Sequence, residues 1–130
     1  MSSTARPVIT CEHYHAILQV RDLPASIDFY TSKLGFSFDF DDGESPRFAA
    51  VSFGDNAQLF LERGTPSPAG CGLYFVVNDA DAMCDRCQSA GVTIAAVPAD
   101  RPYGLRDFSI QDLDGYYVTF GHRLECDPEP

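Results

Sequence analysis

His13-Tyr14-His15-Ala16-Ile17-Leu18-Gln19-Val20-Arg21-Asp22-Leu23-Pro24-Ala25-Ser26-Ile27-Asp28-Phe29-Tyr30 changes its period in mid-run. Residues alternate up to Val20, as a strand with one covered face requires. Asp22 then stands where a helix N-cap belongs, and Pro24 is tolerated in a first turn. Ile27, Tyr30 and Leu34 follow at helical spacing, and Gly35 ends the run. A weaker copy begins near Gly72: Leu73-Tyr74-Phe75-Val76-Val77-Asn78-Asp79, a helical run, then Ala90-Gly91-Val92. Val20, Asp22 and Gly35 correspond to Val77, Asp79 and Gly91, an offset of about 57 residues with one slip in length. Two related βαβββ units of the α+β class are therefore expected.

The remaining segments fill out those units. Strand one is expected over 13–20 and helix one over 23–34, with strands at 36–40, 47–53 and 58–62. Gly64-Thr65-Pro66-Ser67-Pro68-Ala69-Gly70 is rich in breakers and reads as the linker. The second unit is expected to run as a strand over 72–77, a helix over 80–90, and a short strand over 92–97 stopped by Pro98. Strands at 106–111 and 116–121 complete it. The modules thus span about 13–63 and 71–121 of one 130-residue domain, after an arm at 1–11 and before a frayed tail at 123–130.

Nineteen acidic residues against nine basic give a net charge of −10. No basic surface is available to neutralise phosphates, so nucleic acid is excluded as a partner. The acidity either serves solubility or steers a cationic small ligand. No apolar run approaches the roughly 20 residues that span a bilayer, so no membrane partner is expected. Residues 1–10 lack the apolar core of a secretory signal, and a cytoplasmic location is expected. Five cysteines without an export signal read as free thiols. Cys84 and Cys87 share a helical stripe with Ala80, Met83 and Ala90, which favours packing over redox work.

Several of these residues carry a family likeness. His15-x-x-Leu18-x-Val20-x-Asp22-Leu23, Ser26-Ile27-Asp28-Phe29-Tyr30 and Leu34-Gly35-Phe36 mark one end. Pro102-Tyr103-Gly104-Leu105-Arg106-Asp107-Phe108 and Asp112-Leu113-Asp114-Gly115 mark the other. Together they resemble the vicinal oxygen chelate superfamily, which includes glyoxalase I, extradiol dioxygenases and bleomycin-resistance proteins. The resemblance implies that the two modules form a cup-shaped, curled mixed sheet with helices outside. Alternation then turns Leu18, Val20, Leu73, Phe75, Val118 and Phe120 toward helices. His13, His15, Ile17, Gln19, Tyr74, Tyr117 and Thr119 are left toward the cup.

In the superfamily's metalloenzymes, the resemblance implies a divalent ion held by His and Glu from the inner faces. Carried over by position, His15 fits the first-strand ligand. The other three positions fall on Phe60, Gly72 and Thr119, none of which replaces an imidazole or carboxylate. One histidine does not hold a catalytic ion, so no metal and no cofactor is expected. Only a register slip would join His13, His15 and Glu62 as an alternative set, and His122 has the parity of a surface residue.

Without metal, the cup offers Phe60, Tyr74, Tyr103 and Tyr117, joined by Phe38 and Phe40. His15, Arg47, Glu62, Arg106 and Asp107 are the polar neighbours expected beside them. Such walls suit a flat or heteroaromatic ligand. The segment from Pro102 to Phe108 resembles Pro-Trp-Gly-Met-Arg-Glu-Phe of the bleomycin-resistance branch, with Tyr103 in place of the tryptophan. That branch sequesters a drug in crevices built by a two-fold dimer. The resemblance implies a homodimer that binds a small molecule, cationic or aromatic, such as a peptide or aromatic antibiotic. The alternative is a metal-dependent lyase, isomerase or dioxygenase using His15.

Overall fold

The computed structural model describes residues 6–125. Its first module runs β1 (Ala16–Val20), α1 (Leu23–Asp28), β2 (Ser37–Asp41), β3 (Phe48–Ser52) and β4 (Gln58–Arg63). The second runs β5 (Gly72–Val76), α2 (Ala80–Ser89), β6 (Ile94–Asp100), β7 (Leu105–Gln111) and β8 (Tyr117–Arg123). Strand orders are β1-β4-β3-β2 and β5-β8-β7-β6, so the repeat read from the sequence is a repeat of topology. Each sheet pairs its first and last strands in parallel and the others antiparallel. Ile17 opposite Phe60 in one sheet corresponds to Tyr74 opposite Thr119 in the other.

Both helices begin as their sequences require. The Asp22 carboxylate accepts from the Ala25 amide at 3.1 Å, and that of Asp79 from Ala82 at 3.0 Å. Gly35 and Gly91 take positive φ at the helix ends, where a side chain would be strained. The expected α-helix over 23–34 is only half right, because residues Phe29–Lys33 form a π-helical stretch. The Leu34 amide donates to the Phe29 carbonyl at 3.2 Å, five residues back. This wider turn lets two successive rings, Phe29 and Tyr30, both enter the core.

Strand limits also differ at the edges. β1 begins at Ala16 rather than 13, because its ladder with β4 starts at Ala16 opposite Leu59. His13 and His15 therefore precede the start of that ladder. β6 passes through Pro98 instead of stopping there. It is the edge strand of its sheet and shifts register twice, which accommodates the missing N–H of proline. Arg123, expected in a frayed tail, ends β8, and the Leu124 amide donates to the Gly104 carbonyl. The rest of that tail, 126–130, lies outside the described residues.

The core follows the alternation. Leu18, Val20, Leu59 and Leu61 are buried on one face of the first sheet, and Phe108, Ile110, Val118 and Phe120 on one face of the second. These two faces share a single apolar core, in which Phe36 and Phe53 of the first module meet Phe75 of the second. Each such side chain contributes roughly 1.5–3 kcal/mol by leaving water. The helices also help to join the modules. Tyr30 donates to the buried Asp112 carboxylate at 2.6 Å, and Lys33 reaches the Ala90 carbonyl at 3.1 Å. Cys84 and Cys87 are buried in this core, where desolvation pushes the Cys87 thiol up to about 11.

The two modules thus give the expected α+β fold, each as one four-stranded mixed sheet. The two sheets are not hydrogen-bonded to each other, and each keeps its second face uncovered. Ile17 is 59% exposed on the first such face, and Val76 55% on the second.

Candidate aromatic binding faces

On the uncovered face of the first sheet, Phe60 stands at the centre of an aromatic patch. His15 stacks on it at 4.7 Å between centroids and only 10° from parallel. Phe48 and Phe40 meet Phe60 at 5.4 and 6.2 Å, and Phe40 meets Phe48 at 5.9 Å. Such offset and edge contacts hold rings in place at about 0.5–1.5 kcal/mol per pair. His15 Nε2 lies 3.4 Å from His13 Nδ1, while its own Nδ1 is buried with no hydrogen-bond partner among the described residues.

Glu62 accepts a hydrogen bond from the Gln19 amide. That pairing follows the register of β1 and β4 and keeps Glu62 away from the histidines. Among the described residues, no three His, Cys, Asp or Glu side chains gather into a set that could hold a metal. Phe60, Gly72 and Thr119 occupy the other positions where the resemblance calls for ligands, and they offer no strong donor. The residues present do not fit the family's divalent ion.

Two expected members of this patch lie elsewhere. β2 shifts register between Phe38 and Phe40. Phe40 lies opposite Ala50 and faces the patch, whereas Phe38 lies opposite Val51 on the helix-covered side. Arg47 lines a shallow groove with Leu23, Pro24 and Arg63 beside α1, away from Phe60.

On the uncovered face of the second sheet, Asp107 is the hub, with only 3% of its surface exposed. Its Oδ1 accepts from Arg101 Nε at 2.8 Å. Its Oδ2 accepts from Tyr74 Oη at 2.8 Å and from Tyr103 Oη at 2.6 Å. Burial alone would raise this carboxyl, but the hydrogen bonds from Tyr103, Arg101 and Tyr74 outweigh it and hold it below its ordinary value. Desolvation and the bond to Asp107 push the Tyr74 phenol well up, so it stays neutral. Tyr74 reaches Asp107 by crossing over Gly121, which lies directly opposite Asp107 on β8. Any Cβ at that glycine would collide with the Tyr74 hydroxyl.

Tyr117 and Thr119 share this face, and Thr119 bonds Ser109 at 2.7 Å. Arg106, expected beside them, points to the other side. It pairs with Asp81 at 3.0 Å and Asp100 at 3.1 Å. His122 lies opposite Arg106, and its Nδ1 accepts from the Ala80 amide at 2.8 Å, so it caps α2 rather than facing solvent freely. No motif in the sequence singles out Arg101. Its signal was its place across the Pro102-Tyr103-Gly104 turn from an acid.

The expected site residues thus form two groups. His15, Phe40, Phe60 and Glu62 lie on the first face, and Tyr74, Tyr103, Asp107 and Tyr117 on the second. A cleft of about 570 Å³ lies beside His13 and His15, lined also by Glu12, Asp39 and Asp55, but neither Phe60 nor Tyr103 lines it. Tyr74 lines a second cleft of about 350 Å³ with Tyr14 and Gly72, while Phe40, Tyr103 and Tyr117 stand exposed.

Residues 13–120 match the family model described as the Glyoxalase/Bleomycin resistance protein/Dioxygenase superfamily. Among solved structures, TnmS3, an antibiotic binding protein from Streptomyces sp. CB03234, is 25% identical with a TM-score of 0.77, covering 90% of this chain and 99% of that one. The bleomycin-binding protein of Streptomyces verticillus, complexed with copper(II)-bleomycin, is 26% identical with a TM-score of 0.70, covering 87% and 97%. TioX from Micromonospora sp. ML1 shares the fold at 22% identity and a TM-score of 0.76, covering 88% and 100%. None of the curated proteins matches.

Proposed function

This chain belongs to the Glyoxalase/Bleomycin resistance protein/Dioxygenase superfamily, and from that premise we propose that it binds a flat, aromatic small molecule of the antibiotic kind without a metal. In this reading it acts by sequestration. One observation carries the proposal: each uncovered face gathers rings, Phe40, Phe48 and Phe60 on one and Tyr74, Tyr103 and Tyr117 on the other, where a metalloenzyme would gather a full set of ligands. Phe40, Phe48 and Phe60 form a preassembled stacking surface, and Tyr103 stands 60% exposed above Asp107. Flat ligands gain most from such walls, with a few fixed polar groups for orientation. The antibiotic-binding relatives support the same reading.

Two open faces also suggest how a crevice is made. We propose a two-fold homodimer in which the first-sheet face of each copy lies across from the second-sheet face of its partner. That closure would cover Ile17 and Val76 and enclose the rings in two crevices. The charge of −10 would draw a cationic ligand toward them.

The test is an affinity series with flat aromatic drugs. Phe60→Ala and Tyr103→Ala should each weaken binding about tenfold, equivalent to about 1.4 kcal/mol. Unchanged affinity in both variants would remove the aromatic faces from the account.

A further inference from the structure

On the second-sheet face, the direction of the hydrogen bonds carries information that ring placement alone does not. A carboxylate only accepts, so Tyr74 and Tyr103 must each spend their single O–H on Asp107 Oδ2. What both phenol oxygens have left is lone pairs. Arg101 spends Nε on Asp107 Oδ1 and turns one terminal nitrogen toward the Val97 and Asp107 carbonyls. Its charge is matched at 2.8 Å by Asp107. The arrangement is fixed from below, because Asp107 is buried and because Gly121 leaves the opening through which the Tyr74 hydroxyl passes.

We propose that the Asp107 hub sets the polarity of recognition: Tyr74 and Tyr103 act as paired acceptors, and the ligand class is flat aromatics bearing N–H donors, amines or amides, with anionic aromatics disfavoured. Tyr74 and Tyr103 are thus specificity-determining residues, and Asp107 is a positioning residue that acts through them. The inference rests on the reading of this face as a ligand surface, and it names what that surface selects. A donor meeting an oriented acceptor tightens binding by up to about tenfold, and an acceptor facing an anion leaves both unpaired.

Three probes on one ring skeleton separate these effects: proflavine, which carries two aryl amines, acridine, which carries none, and acridine-9-carboxylate. Binding is read by fluorescence titration with wild type, Tyr74→Phe and Tyr103→Phe. Neither substitution changes net charge, so long-range attraction stays constant, and both keep the ring for stacking. The wild type should prefer proflavine to acridine and bind the carboxylate weakest. Each variant should lose up to about tenfold in proflavine affinity while acridine binding holds. Gly121→Ala, which displaces the Tyr74 hydroxyl and crowds Asp107, should weaken proflavine at least as much as Tyr74→Phe. Equal proflavine affinity in wild type and both phenylalanine variants, or a carboxylate bound as tightly as proflavine, would overturn the acceptor role and leave aromatic binding standing. Failure of wild type to bind any of the three would overturn both.

Discussion

Asp107 shows how one buried carboxylate can govern a surface. Its folded-state value is depressed, so it is deprotonated more readily in the folded chain than in the unfolded one. The stability it contributes is complete above the unfolded carboxyl value of about 4 and is lost as pH falls through the lower folded value. The gap in melting temperature between wild type and Asp107→Asn should therefore narrow on acidification from about pH 5 to below about pH 3. A gap independent of pH would mean that the charge of Asp107 does not matter to the hub. The faces of Tyr74 and Tyr117 were legible from period-two alternation alone. Phe38 was not, because a register shift between Phe38 and Phe40 sends one ring to each side, and alternation cannot see a bulge. Arg106 and Asp107 are neighbours in sequence, so a strand puts them on opposite faces, and the sequence reading grouped them by proximity.

Among elements, the repeat was the readable feature. Caps at Asp22 and Asp79 and helix ends at Gly35 and Gly91 reveal both modules without any structure. The joint between modules was not readable, since it depends on contacts far apart in the chain. Tyr30 meets Asp112 from a π-helical stretch, and Asp112 also accepts from the Asp114 and Tyr116 amides at 2.9 and 3.0 Å. Asp114 in turn accepts from the Arg21 amide at 3.1 Å. The Asp112-Leu113-Asp114-Gly115 turn is thus a clasp between modules. Tyr30→Phe keeps the packed ring and removes one buried donor, which should cost about 1–3 kcal/mol in urea unfolding. An unchanged midpoint would show that the Tyr30 hydroxyl contributes nothing to the joint.

For the whole molecule, the decisive property is that the covered faces are used up in one core while two others stay bare. A monomer with Ile17, Phe40, Tyr74 and Val76 in water exposes more apolar surface than an isolated domain needs to. Sedimentation equilibrium should give twice the chain mass of 14.3 kDa, and Ile17→Glu should return the protein to a monomer by placing a charge in a dry interface. Monomeric wild type at tens of micromolar would contradict the paired-face arrangement. The dimer was expected from family likeness, not from the residues, because a strand's alternation says which face is apolar but not what covers it.

The most direct test of metal-free aromatic binding is an equilibrium titration of proflavine into wild type and Phe60→Ala, each in excess chelator. Saturable binding in chelator, weakened about tenfold by Phe60→Ala, is the predicted result. Binding that disappears with chelator and returns with Ni, Mn, Fe or Zn, or that is indifferent to Phe60, would contradict the account.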